Sequence, residues 1–170
     1  VLRGSKQGPN YSKLDIDNVV NKLESLSQEH DFLSPRVMVD ASHGNSFKQY
    51  LLQKEVVEDV CSQLILSSKN LSVNILNNLT PILGVMLESN LYEGAQKLNI
   101  RTSVDSEHGL FTDMDNGSVL KDLEYGVSVT DSCLSWEQTV PLLDRLANAV
   151  NILNDNLLSV KSKLYSEILL

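Results

Sequence analysis

Two kinds of apolar pattern alternate along this chain. Short runs, apolar or nearly so, each lead into a polar residue: Val1-Leu2 into Arg3, Val37-Met38-Val39 into Asp40, Ile82 to Leu87 into Glu88, and Gly126 to Thr130 into Asp131. Such runs predict strands that deliver polar side chains to loops. Between them, apolar residues recur every three or four positions, the period of a helix packed on one face. From Ser12, the residues Leu14, Ile16, Val19, Val20, Leu23 and Leu26 predict a helix of about 15 residues, capped near Ser12 or Asp15. Lys48 to Leu66 predicts a second, with Leu51, Leu52, Val56, Val57, Val60, Cys61, Leu64 and Ile65 in its stripe. Trp136 to about Asn154 predicts a closing helix, and 155–170 a C-terminal helical extension. Ile82 to Leu87 is apolar throughout and predicts a strand buried on both faces. Ser67 to Thr80 leaves helix and loop equally open, and Asn99 to Asp122 predicts a long polar surface excursion.

Strand, helix, strand, helix, strand, excursion, strand, helix is the order of an α/β fold with parallel strands and helical crossovers. Parallel strands share one C-terminal rim. Arg3, His43, Glu88 and Asp131 are therefore expected on the same side, which in a (β/α)₈ barrel is the side that carries the chemistry. Such a barrel needs roughly 250 residues and eight strands; this chain has 170 residues and four predicted strands. Half a barrel leaves open strand edges. The chain also opens on Val1-Leu2-Arg3-Gly4, with no methionine. We therefore expect a segment of a longer protein.

Charge narrows the partners. The formal net charge is −8, which argues against nucleic acid or an anionic membrane as a partner bound through bulk charge. No apolar run approaches the ~18 residues of a membrane span, and no signal peptide is visible. Two cysteines, Cys61 and Cys133, are too few for a disulfide scaffold and fit a reducing, cytoplasmic setting. Both read as buried structural thiols.

His43, Glu88 and Asp131 combine imidazole and carboxylate donors suited to Mn²⁺, Fe²⁺, Co²⁺ or Zn²⁺. Residues of these types in such places are usually capping or solvated, and the residues alone leave both readings open. Arg3 at a strand end suits a phosphate or carboxylate, or a surface ion pair. Ser42 and His43 are neighbours whose side chains leave a strand on opposite faces, so with Asp40 they make no hydrolase triad.

Several stretches occur together and in order: Leu2-Arg3-Gly4, Pro9-Asn10-Tyr11, Met38 to Ser46 (MVDASHGNS), Gly84 to Asn90 (GVMLESN), Glu93-Gly94, Tyr125 to Cys133 (YGVSVTDSC), Trp136-Glu137 and Leu146 to Val150 (LANAV). This set resembles the C-terminal half of the type I 3-deoxy-D-arabino-heptulosonate 7-phosphate (DAHP) synthases, and Glu-Ser-Asn and Tyr-Gly-Val look nearest the fungal branch. The resemblance covers most of residues 1–154, with insertions near 70–80 and 99–122. It implies the C-terminal half of a TIM barrel that condenses phosphoenolpyruvate with erythrose 4-phosphate, the first step toward aromatic amino acids. It further implies a divalent metal held by His43, Glu88 and Asp131, with a cysteine ligand from the absent half that Cys61 does not match. Arg3 would bind the phosphate of phosphoenolpyruvate. His43, with Asp40 behind its imidazole, would be the catalytic centre. The whole protein would be a homo-oligomer, and the isolated segment inactive. The chain departs from the pattern at Ser5, where the family usually has Gly, and at Ala95, where it usually has Asn. Those departures keep a non-catalytic paralogue, acting as a binding or regulatory subunit, as the alternative.

Overall fold

The computed structural model of the chain describes residues 1–27, 35–69, 80–98 and 123–168. The excursion expected at 99–122, and the insertion at 70–80 apart from Thr80, lie outside these residues. The fold is α/β, with short parallel strands and three long helices among the described residues.

Strand β1, Val37–Asp40, is the centre of the first sheet. On one edge it pairs in parallel with β2, Ile82–Met86. On the other edge Leu2 bridges Val39 in parallel, the Leu2 N–H donating to the Met38 carbonyl and the Asp40 N–H to the Leu2 carbonyl, each at 2.8 Å. The chain start, β1 and β2 therefore run the same way, and Arg3, Asp40 and Glu88 leave at the same end. Val37, Val39 and Ala41 are buried, whereas Met38 faces outward. β2 differs from its expectation: Ile82 is buried, but Leu83 is 59% exposed. Alternate residues of a strand face opposite sides, and among the described residues only one side of β2 is covered at Leu83.

Helix α1, Lys13–Ser27, matches the predicted span. Its start is a reciprocal cap: the Asp15 N–H donates to Ser12 Oγ and the Ser12 N–H to Asp15 Oδ2, both at 3.2 Å. This satisfies two N–H groups that the first turn leaves over. Ile16 is fully buried, but Leu14 points to solvent. Helix α2, Gln53–Lys69, starts later than the expected Lys48. Phe47 and Lys48 have φ of 52° and 59°, a left-handed backbone that no right-handed helix can contain. One 3₁₀ turn, Tyr50–Leu52, then leads in. From Val56 the apolar stripe of α2 is as expected, with Val56, Val57, Val60, Cys61 and Leu64 all buried, but Leu51 and Leu52, expected in it, fall in the 3₁₀ turn and Leu51 is exposed.

Residues 126–130 do not form the predicted fourth strand. They carry one parallel bridge, Ser128 to Ala95, beside a turn that closes with the Val127 N–H on the Glu124 carbonyl and needs Gly126 at φ 81°. The parallel pairing moves past Asp131: β3, Ser89–Asn90, pairs with β4, Leu134–Ser135. Helix α3 then runs unbroken from Trp136 to Ile168, with no interruption at the expected 154–155 boundary. Leu142, Ala149 and Leu153 enter the same buried cluster as the α2 stripe, β1 and Ile82, and Leu157 packs at its edge. Of the candidate chemistry, both cysteines are buried and unpaired by disulfide, as read from the sequence.

Candidate metal centre

His43, Glu88 and Asp131 come together. One ligand atom from each lies within 4.8 Å of the other two. His43 Nε2 is 3.6 Å from Glu88 Oε1 and 3.9 Å from Asp131 Oδ2. Metal–ligand bonds of ~2.0–2.2 Å in a tetrahedral or more open site separate neighbouring ligand atoms by about 3.3–4 Å, so the two His43 separations fit one small divalent ion.

Each of the three side chains is placed by a different piece of local structure. His43 follows β1 and has φ 50°, a left-handed turn that His tolerates better than most residues. The turn is held by the Asn45 N–H on the Ser42 carbonyl and the Lys48 N–H on the His43 carbonyl. Asn45 also braces it from below, donating from Nδ2 to the Leu2 and Asp40 carbonyls. Glu88 lies two residues beyond β2, between that strand and β3. Asp131 sits on a bend whose flanks are both tied to the segment after β3. Before it, the Gln96 N–H donates to the Ser128 carbonyl; after it, Gly94 and Cys133 exchange two backbone hydrogen bonds. The Gln96 carboxamide adds contacts to the Glu124 and Val127 carbonyls and the Glu124 N–H. Asp131 is the most open of the three, its side chain 58% exposed against 22% for His43 and Glu88.

Asp40 stands behind the imidazole. Its Oδ2 is 2.8 Å from His43 Nδ1, and its side chain is almost wholly buried. The contact is close but not aligned as a linear hydrogen bond, and among the described residues Nδ1 has no hydrogen-bond partner. Asp40 Oδ1 accepts the Ser42 N–H at 2.9 Å, which fixes the carboxylate. Arg3 Nε reaches Asp40 Oδ2 at 3.9 Å while its side chain stays 61% exposed. Arg3 is thus on the same rim with its guanidinium open to a ligand.

Sequence reasoning missed four neighbours. Ser42, Lys48 and Ser132 line the small cleft with the three side chains, and Ser42 Oγ donates to Glu88 Oε2. Buried Gln53 bonds the Glu88 backbone. The only signal for Gln53 in the sequence is a polar residue at the start of an apolar helix stripe, which reads as a solvated position. Cys133 is close to this centre, its Sγ 3.5 Å from the Asp131 carbonyl. Burial pushes its thiol up from the ordinary value, the nearby Glu88 and Asp131 carboxylates add to the rise, and a hydrogen bond with Ser128 opposes it.

Known proteins share this arrangement of sequence. The chain is 40% identical over 156 residues to the tyrosine-inhibited phospho-2-dehydro-3-deoxyheptonate aldolase of Schizosaccharomyces pombe, covering 92% of this chain and 34% of that protein. It is 38% identical over 150 residues to the Phe-sensitive phospho-2-dehydro-3-deoxyheptonate aldolase of Escherichia coli K12, covering 88% and 33%. The solved structure of the phospho-2-dehydro-3-deoxyheptonate aldolase of Francisella tularensis SCHU S4 superposes with a TM-score of 0.64 at 35% identity, over 88% of this chain and 33% of that one. The chain thus spans about a third of the length of each of these relatives. The sequence profile of the DAHP synthetase I family matches residues 1–144, and the chain belongs to that family.

Proposed function

We propose that this chain is the C-terminal half of a (β/α)₈ barrel that condenses phosphoenolpyruvate with erythrose 4-phosphate and releases phosphate. The observation that carries the reading is the convergence of His43, Glu88 and Asp131 at one point from three separate segments. The parallel run of the chain start, β1 and β2 supports the barrel half. The names of the relatives support the reaction.

In this reading the three side chains hold a divalent ion, and the mixed nitrogen and oxygen donors suit Mn²⁺, Fe²⁺, Co²⁺ or Zn²⁺. When bound, such an ion supplies Lewis acidity toward a carbonyl oxygen. Asp40 keeps the imidazole in the orientation that presents Nε2 to the centre, because its carboxylate faces Nδ1. Arg3 offers paired N–H donors to the phosphate of phosphoenolpyruvate, and Asp40 beneath it limits how far the guanidinium can swing. Both substrates are phosphorylated, and at the described rim only Arg3 and Lys48 bring positive charge near the three ligands. The remaining phosphate-binding groups and a fourth ligand then belong to the other half of the barrel. The cytoplasmic, homo-oligomeric setting expected from the resemblance belongs to the same reading. Retention of all three ligands and of Arg3 favours it over a non-catalytic subunit.

The test has two arms. Metal content of the complete protein, carrying both halves of the barrel, is expected to be stoichiometric, and to be lost in His43→Ala. Unchanged metal in that variant would sink the ligand assignment. The isolated 170-residue chain is expected to show no turnover with both substrates and Mn²⁺, and measurable turnover refutes the half-site reading.

A further inference from the structure

Glu88 is held more firmly than a residue in a loop needs to be. The β1–β2 ladder ends where the Ala41 N–H donates to the Met86 carbonyl at 2.9 Å. Beyond that point β1 turns away through Ser42 and the left-handed His43. Continued pairing would have brought a strand against the Glu88 backbone, and the turn removes it. Gln53, the first residue of α2 and fully buried, stands in that place. Its Oε1 accepts the Glu88 N–H at 2.8 Å and its Nε2 donates to the Glu88 carbonyl at 3.2 Å. A carboxamide presents an acceptor and a donor side by side, as a neighbouring strand does. The Leu134 N–H donates to the same carbonyl at 3.0 Å. At the far end of the side chain, Ser42 Oγ donates to Oε2, so Oε1 is the oxygen turned toward His43 Nε2.

We propose that Gln53 and Ser42 are positioning residues for the metal centre, acting through Glu88. Gln53 fixes the main chain of Glu88, and Ser42 fixes the rotation of its carboxylate and leaves one oxygen to offer. The inference rests on the reading of Glu88 as a ligand. A carboxylate aimed in advance loses little freedom when it binds an ion, and partners behind a ligand typically change metal affinity 10–100-fold. Ser42 and Gln53 lie 46 and 35 positions from Glu88 along the chain, so no local motif announces them.

Mn²⁺ alone, titrated into the metal-free protein and followed by the electron paramagnetic resonance of the free ion, tests this. Ser42→Ala and Gln53→Ala are each expected to raise the Mn²⁺ Kd by about tenfold or more, with unchanged circular dichroism. In a Glu88→Ala background the added Ser42→Ala is expected to change the residual Kd no further, a result that a merely structural role does not produce. If Glu88→Ala weakens binding but folded Ser42→Ala and Gln53→Ala keep the parental Kd, the inference is overturned while the ligand reading stands. If Glu88→Ala leaves the Kd unchanged, both fall. Should Gln53→Ala not fold, Ser42→Ala, which removes one oxygen, decides alone.

Discussion

Gly4→Ala is the sharpest perturbation of the rim that the structure offers. Gly4 has φ 82°, and a Cβ built there would lie 2.5 Å from the Gly44 carbonyl carbon, 2.6 Å from Gly44 Cα and 2.7 Å from the Asn45 nitrogen. All three are backbone atoms, so no flexible side chain can step aside. Holding an L-residue in a left-handed conformation costs roughly 1–2 kcal/mol. Forcing a methyl into a filled space adds about 1–3 kcal/mol. The expected loss is roughly 2–5 kcal/mol, a large share of the ~5–15 kcal/mol of a typical domain. The strain falls on the turn that carries His43, because the Gly44 N–H also bonds the Arg3 carbonyl at 3.0 Å. Gly84→Ala is the control. Its Cβ would meet only Met38 Cε, at 3.7 Å, and strand propensity predicts a neutral effect or a gain of up to about 1 kcal/mol. Urea denaturation of the two variants at matched m-values reads the difference. A Gly4→Ala midpoint as high as that of Gly84→Ala refutes the close-approach argument.

Asp40→Asn is expected to weaken metal binding by roughly 10–100-fold with little change in fold. It keeps the shape but can place an N–H where Oδ2 now faces His43 Nδ1; unchanged Mn²⁺ affinity on titration would remove Asp40 from the site. Burial, with help from Glu58 and against the pull of Arg145, raises the Cys61 thiol above its ordinary 9.0. The unfolded chain then ionises first as pH rises, so this contribution to stability is whole below that value and is lost as pH climbs through the folded one. Denaturation measured on either side of pH 9.0 is expected to show a shallower alkaline decline in Cys61→Ala than in the parent, and equal slopes count against it.

Periodicity alone determined much of this protein. The 3.6-residue repeat located α1 to within a residue and named the stripe of α2 from Val56 to Leu64, because one-sided burial of a helix is written locally. The apolar runs before His43 and Glu88 placed both residues on one rim, because parallel strands end on the same side. The path near Asp131 was not legible. Residues 126–130 alternate as a strand should, yet the turn at Gly126 and the pairing of β4 with β3 displace the ladder past Asp131. The choice between those pairings depends on which backbone groups lie opposite, and that is not a local property. The late start of α2 was hidden for a similar reason, since left-handed φ at Phe47 and Lys48 has no signature in those residue types. The sequence and its resemblance anticipated His43, Glu88 and Asp131 on one rim and Asp40 behind the imidazole; the distances among them, and Ser42 and Gln53 on Glu88, were decided only by the tertiary structure. A polar side chain's character can be read from the sequence, but its partner depends on where the chain returns, and here that return spans tens of residues.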